Sequence, residues 1–109
     1  MQETQTMQHV GAATKILGDK WTPLLLRRFF ATERVRFCEL QEGSSGINPR
    51  TLSARLTMLE DEGIITKIGD GRCEYMLSAK GRDFLPVLRQ MEAWGRKHSD
   101  DISDFSQIQ

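Results

Sequence analysis

The stretch Ile47-Asn48-Pro49-Arg50-Thr51-Leu52-Ser53-Ala54-Arg55-Leu56-Thr57-Met58-Leu59-Glu60-Asp61-Glu62-Gly63 reads as a helix marked at both ends. Asn48 can accept a backbone N–H as N-cap. Pro49 suits the first helical position, where its missing N–H has no helical partner to lose, and Gly63 supplies the left-handed turn that ends the element. With about 100° between successive residues, Leu52, Leu56 and Leu59 share one side, Arg50, Ser53, Ala54 and Thr57 lie opposite, and Thr51, Arg55 and Met58 flank them. Short side chains between two arginines would let such a helix sit deep in a DNA major groove while the guanidiniums reach guanine edges or phosphates. Taken alone, the segment fits an ordinary amphipathic surface helix equally well.

Working outward, Arg36 to Glu42 reads as a short helix with Phe37 and Leu40 inward, and Gly43-Ser44-Ser45-Gly46 as a turn. Helix, turn and helix over about 36–63 make a helix-turn-helix. Downstream, Ile64-Ile65-Thr66-Lys67-Ile68 is β-branched, Gly69-Asp70-Gly71 signals a turn, and Cys73, Tyr75 and Leu77 alternate on the return, so 64–78 reads as a hairpin wing. The expected fold is mainly α with a small β-hairpin (α+β), a winged helix-turn-helix. Upstream, Met7, Val10, Thr14 and Leu17 recur at helical spacing and predict a helix over about 7–17. A second helix starts between Asp19 and Pro23 and runs to about Ala31, burying Trp21, Leu25 and Phe29. Thr32 to Val35 is too short and charged for more than a turn or brief strand. A last helix runs from Ala79 to about His98, with Pro86 at a kink or near its first turn, and 99–109 is a polar tail.

On that last helix Phe84, Leu85, Val87, Leu88, Met91 and Trp94, with Gly95, spread over about half the circumference. One small core does not cover so wide a face. The pattern predicts a helix shared between its own domain and a second subunit, against the competing reading of a two-sided core helix within the monomer.

A length of 109 residues with 39% hydrophobic content suits a single domain with a modest core. No apolar run approaches the roughly 20 residues of a membrane span, and Met1 to Thr6 carries no basic residue, so a soluble cytoplasmic protein is expected. Cys38 and Cys73 stand far apart with no metal-ligand spacing, which predicts free thiols, and no metal or cofactor is expected. Net charge is zero, an argument against nucleic-acid binding that the distribution offsets. Lys20, Arg27, Arg28, Arg34, Arg36, Arg50 and Arg55 face only Glu33, Glu39 and Glu42 within their stretch. Most other acids sit beyond it, as Glu60, Asp61 and Glu62 or as Asp100, Asp101 and Asp104. Such segregation predicts a positive face on a neutral molecule.

Five ordered blocks then point one way: Leu17-Gly18-Asp19-Lys20-Trp21-Thr22; Arg36-Phe37-Cys38-Glu39-Leu40; Ile47 through Leu56; Glu74-Tyr75-Met76-Leu77-Ser78-Ala79-Lys80-Gly81; and Leu85-Pro86-Val87-Leu88 with Trp94-Gly95. Over nearly its whole length the chain resembles the HxlR-type winged helix-turn-helix transcriptional regulators of bacteria. The resemblance implies a homodimer joined through the first and last helices, which places Met7, Val10, Leu85, Leu88, Met91 and Trp94 at the joint. It also implies a two-fold operator taking one recognition helix per half-site. Two departures stand out. The wing turn is shorter than the family's proline-containing loop, with Arg72 the only base near its tip and Asp70 beside it. Members that sense oxidants or electrophiles use a cysteine near the N-terminus, and this chain has none before Cys38.

The candidate DNA contacts are therefore Arg50, Thr51, Ser53, Ala54 and Arg55 on the recognition helix, with Lys20, Arg36, Arg72 and, less directly, Arg27 and Arg28 toward the phosphate backbone. Lys20 has capping of local structure as its alternative role, and Arg27 and Arg28 have surface ion pairs. Cys38, beside Arg36 at a helix start, is the candidate redox thiol, with an inert thiol as its alternative. Cys73 reads as strand packing, and His9 and His98 as solvated residues on the two dimer helices. No nucleophile–base pair, carboxylate pair or phosphate loop appears at meaningful spacing, so no enzyme is expected. The expected partners are double-stranded DNA, a second copy of the chain and an effector of unspecified chemistry, with no membrane. The competing class is a winged-helix protein-interaction module that does not bind DNA.

Overall fold

The computed structural model describes residues 2–69 and 74–102. Its elements are α1 (Gln2–Leu17), α2 (Thr22–Leu26) running into a 3-10 turn (Arg27–Phe30), β1 (Arg34–Arg36), α3 (Phe37–Gly43), α4 (Pro49–Asp61), β2 (Ile65–Ile68), β3 (Glu74–Leu77), α5 (Ala79–Arg82), α6 (Phe84–His98) and a closing 3-10 turn (Ser99–Asp101). The expected turn at Gly69-Asp70-Gly71 falls partly, and Arg72 and Cys73 wholly, outside the described residues.

Both ends of α4 are built as its sequence predicts. The Thr51 amide donates to Asn48 Oδ1 at 2.8 Å and Pro49 opens the helix. At the other end Gly63 takes φ +75°, Ile64 N donates to Leu59 O at 2.8 Å and Gly63 N to Glu60 O at 3.0 Å. That pair of bonds closes the last carbonyls and turns the chain straight into β2. Leu52, Leu56 and Leu59 are buried together with Leu25, Leu26 and Phe29, with Leu40 of α3, and with Val35, Ile65, Tyr75 and Leu77 of the sheet. Helix-turn-helix and wing thus share one core.

The wing is more than a hairpin. Three antiparallel strands lie in the order β1-β3-β2, with Val35 and Lys67 both opposite Tyr75. A three-residue strand forms because Val35 is fully buried while Arg34 and Arg36 point to solvent, an alternation that suits a pleated edge. Beyond β3, Ser78 Oγ accepts the Gly81 amide at 2.9 Å and lies 2.6 Å from Gly63 O and 3.0 Å from Ile64 O. One serine therefore caps α5 and ties it to the end of α4.

Three boundaries differ from expectation. α1 begins at Gln2 rather than near Met7, although only Ile16 of it is buried. The second helix relaxes into a 3-10 turn after Leu26, a core residue absent from the expected stripe, while Trp21 is only half-buried. The last helix is interrupted at Asp83, so Pro86 falls in the first turn of α6, where no intrahelical bond is lost. Leu88 is a correction of another kind. It is 5% exposed within its own core and offers no free surface to a partner, because α6 turns that side onto the domain.

Candidate nucleic-acid interface

The outer side of α4 exposes Arg50, Ser53, Ala54 and Thr57. Anchoring of the opposite leucine stripe sets this face, so the helix cannot roll without emptying the core. Thr51 is half-buried, its amide committed to the cap. Arg50 has no ion pair or side-chain hydrogen bond among the described residues. Its guanidinium, at the second helical position, is free to turn toward a base edge.

Arg55 is placed differently. Its Nη1 lies 3.5 Å from Asp19 Oδ2, and its Nε is buried without a hydrogen-bond partner. Asp19 closes the turn that leads into α2. Its Oδ1 accepts the Trp21 amide at 2.8 Å and the Thr22 amide at 2.9 Å, and its Oδ2 accepts the Thr22 hydroxyl at 2.7 Å. Partial burial pushes the Asp19 carboxyl upward, but the Thr22 hydroxyl, the Thr22 and Trp21 amides and the Arg55 charge together outweigh it and hold the group below its ordinary value.

The other bases of the positive stretch are also largely engaged. Arg34 and Arg36 both reach Glu74, at 3.5 and 3.7 Å. Arg27 donates to Gly43 O at 3.0 Å, and the Arg28 side chain passes close against Gly43. Lys20 is exposed, its ammonium 4.5 Å from the Trp21 ring centroid. The surplus of base read from sequence therefore overstates the free charge: Lys20, Arg28 and Arg50 are the cations of that stretch without a carboxylate or carbonyl partner among the described residues, and Arg28 packs against Gly43 with its Nε buried. Asp19 and Glu74, which do the neutralising, were missed as members of this surface. No spacing signal connects Asp19 with a residue 36 positions further on, whereas the pairing of β1 with β3 sets Arg36 opposite Glu74.

Elsewhere, Cys38 is exposed at the second position of the short α3. His98 stacks on Trp94 at 4.9 Å between ring centroids, and His9 is exposed. Of the residues assigned to a subunit joint, Met7 is 74% exposed and Trp94 58%, Val10 and Met91 are exposed, and Leu85 is half-buried against the core. Val87 joins the exposed set. A groove of about 500 Å³ between α1 and the start of α6 is lined by Ala12, Ile16, Ile64, Phe84, Lys15 and Lys80, among others. No helix among the described residues is long and apolar enough to cross a membrane.

A helix-turn-helix with an exposed polar recognition face, followed by an antiparallel wing on the same core, defines the winged helix-turn-helix class of DNA-binding module. The chain belongs to the HxlR-like helix-turn-helix family, whose profile matches residues 16–103. It is 38% identical over 93 residues to the HTH-type transcriptional regulator sll1512 of Synechocystis sp., covering 82% of this chain and 66% of that one. To the HTH-type transcriptional regulator Mb3122 of Mycobacterium bovis it is 35% identical over 95 residues, covering 84% of this chain and 59% of that one. The chain thus spans about two thirds or less of these relatives' length. Among solved structures, the redox regulator HypR in its reduced form superposes with a TM-score of 0.76 at 28% identity, covering 84% of this chain and 93% of that chain. The named relatives are HTH-type transcriptional regulators and the fold neighbour is a redox regulator, none of them an enzyme by name.

Proposed function

We propose that the chain is a sequence-specific, DNA-binding transcriptional regulator that works in the cytoplasm as a homodimer on a two-fold operator. The observation that carries this reading is the outer face of α4, where Arg50, without a partner among the described residues, stands beside Ser53, Ala54 and Thr57 on a helix locked from behind by three buried leucines. Arg50 is the lead base reader, Ser53, Ala54 and Thr57 allow close approach, and Lys20 meets the phosphate backbone. The dimer brings two such helices to successive major grooves, about 34–36 Å apart on one side of the duplex. Exposed Met7, Val10, Met91 and Trp94 on α1 and α6 favour that assembly. The groove between α1 and α6 is the candidate effector site of this reading.

The test is titration of a labelled duplex from upstream of the protein's own gene, against a scrambled duplex, at several salt concentrations. Selective binding with a clear log–log salt slope supports the reading. If that duplex and a genome-wide pull-down both yield no preferred sequence, the regulator reading falls and a protein-interaction module takes its place. If Arg50→Ala and Arg55→Ala both leave operator affinity unchanged, the recognition helix is wrongly assigned.

A further inference from the structure

We infer that Asp19 is a specificity-determining positioning residue. Its carboxylate holds Arg55 of the recognition helix in one orientation and withholds that charge from indiscriminate contact with phosphate. The inference rests on the DNA-binding reading and adds to it an acidic residue, outside the helix-turn-helix, that governs how one of its arginines is used.

The geometry is asymmetric in a telling way. Asp19 is fixed independently of Arg55: three donors from Trp21 and Thr22 hold its two oxygens at 2.7–2.9 Å, and Thr22 is fully buried, so the carboxylate cannot swing away. Arg55 then approaches a charge that is already in place, at 3.5 Å, with its Nε enclosed. The guanidinium keeps part of its edge toward solvent, the side chain being 37% exposed. A pair this open and this long contributes little to stability. Its larger effect is on the field that DNA meets. A free arginine binds every phosphate chain alike, whereas one held by a carboxylate engages well only where the duplex presents an acceptor in its fixed direction. An acid beside the recognition helix lowers affinity for all DNA, and it lowers affinity least for the sequence that fits. Asp19 thereby trades non-specific binding for discrimination.

The test uses the full chain, a duplex enriched from a random pool by the wild-type protein, and a scrambled duplex of the same composition. Asp19→Asn keeps an amide oxygen for the Trp21 and Thr22 N–H groups, removes the charge facing Arg55, and puts an NH2 where Oδ2 accepts the Thr22 hydroxyl and the Arg55 guanidinium. The expected result is a chain that stays folded at neutral pH, less stable than the wild type by the contribution of the ionised Asp19, with tighter binding to the scrambled duplex. The log–log salt slope on that duplex should steepen by about 0.9 for each arginine released, and the preference for the enriched duplex should drop by roughly fivefold or more. Arg55→Gln is the second variant. Because the wild-type charge is already engaged, it should weaken the enriched complex while hardly changing the scrambled one, and with Asp19→Asn present it should abolish the gain in non-specific binding. An unchanged preference and salt slope in Asp19→Asn, or equal weakening of both duplexes by Arg55→Gln, overturns the inference and leaves DNA binding intact. Failure of the wild type to enrich any sequence overturns the DNA-binding reading, and this inference with it.

Discussion

Arg50 and Arg55 carry the same charge on the same helix, yet their surroundings assign them different work. Arg50 has no partner among the described residues and lies on the outer face, whereas Arg55 is drawn sideways to Asp19 in the turn before α2. Arg50→Ala is therefore expected to cost about 1–3 kcal/mol in operator binding and to relax preference at one base position. Fluorescence-anisotropy titration against a panel of singly substituted duplexes would show it, and a uniform loss across the panel would instead make Arg50 a phosphate contact. Asp19 adds a pH signature that needs no DNA. Its carboxyl is held below the ordinary range in the folded chain, so the unfolded chain takes up the proton first as pH falls. The stabilisation from the ionised group is thus fully present above the ordinary aspartate value of about 3.9 and disappears as pH falls through the lower folded value. Wild type and Asp19→Asn should differ most near neutrality and converge in acid, as read by urea unfolding at a series of pH values. A gap independent of pH would mean that the charge of Asp19 contributes nothing to folding.

At the scale of elements, the orientation of α4 depends on a knot of backbone at its C-terminus. Ile64 O accepts the Ser78 amide at 2.9 Å, Ser78 Oγ caps α5, and Gly81 is buried so closely that a Cβ there would overlap the Ile64 carbonyl oxygen. Gly81→Ala must push α5 away from β2, at a cost of order 1–3 kcal/mol or more. A lowered urea midpoint with an unchanged slope would confirm a native-state clash. Ser78→Ala should cost about 1 kcal/mol by loss of the cap, with the same readout, and a midpoint equal to wild type would show that the cap is dispensable. These elements also show what the sequence made legible. The recognition helix was readable because Asn48, Pro49 and Gly63 mark its ends and its leucines keep one period. β2 was readable from its β-branched run and β3 from alternation. The edges of the other elements were not. β1 has one buried residue and exists only through its pairing with β3, whereas the break at Asp83 follows from Pro86, which cannot donate to the Arg82 carbonyl one turn back. The exposed polar face of α4 was legible for the same reason as the helix. The pairings of Arg55 with Asp19 and of Arg36 with Glu74 were not, since tertiary structure alone brings them together.

For the whole molecule, the unequal treatment of α6's two sides argues for a partner. Leu88 is closed within the core, while Val87, Met91 and Trp94 stand in solvent, and α1 buries only Ile16 and exposes Met7 and Val10. A helix of 16 residues with a single buried side chain receives little support from its own domain. Exposed apolar side chains on two helices argue for a covering partner, and a net charge of zero sets up no long-range repulsion between copies. Met91→Glu combined with Trp94→Glu should therefore give a folded monomer by light scattering, with its helical circular dichroism largely kept. Leu88→Glu should instead unfold the chain, because it buries a charge in the core. If two linked recognition helices are what make an operator bind tightly, the folded monomer should lose roughly 10²–10⁴-fold on a two-fold duplex. On a single half-site it should bind as well as one wild-type subunit does. A double variant that remains dimeric would move the joint elsewhere on the surface, and a monomer that keeps full affinity would show that each domain recognises its site alone.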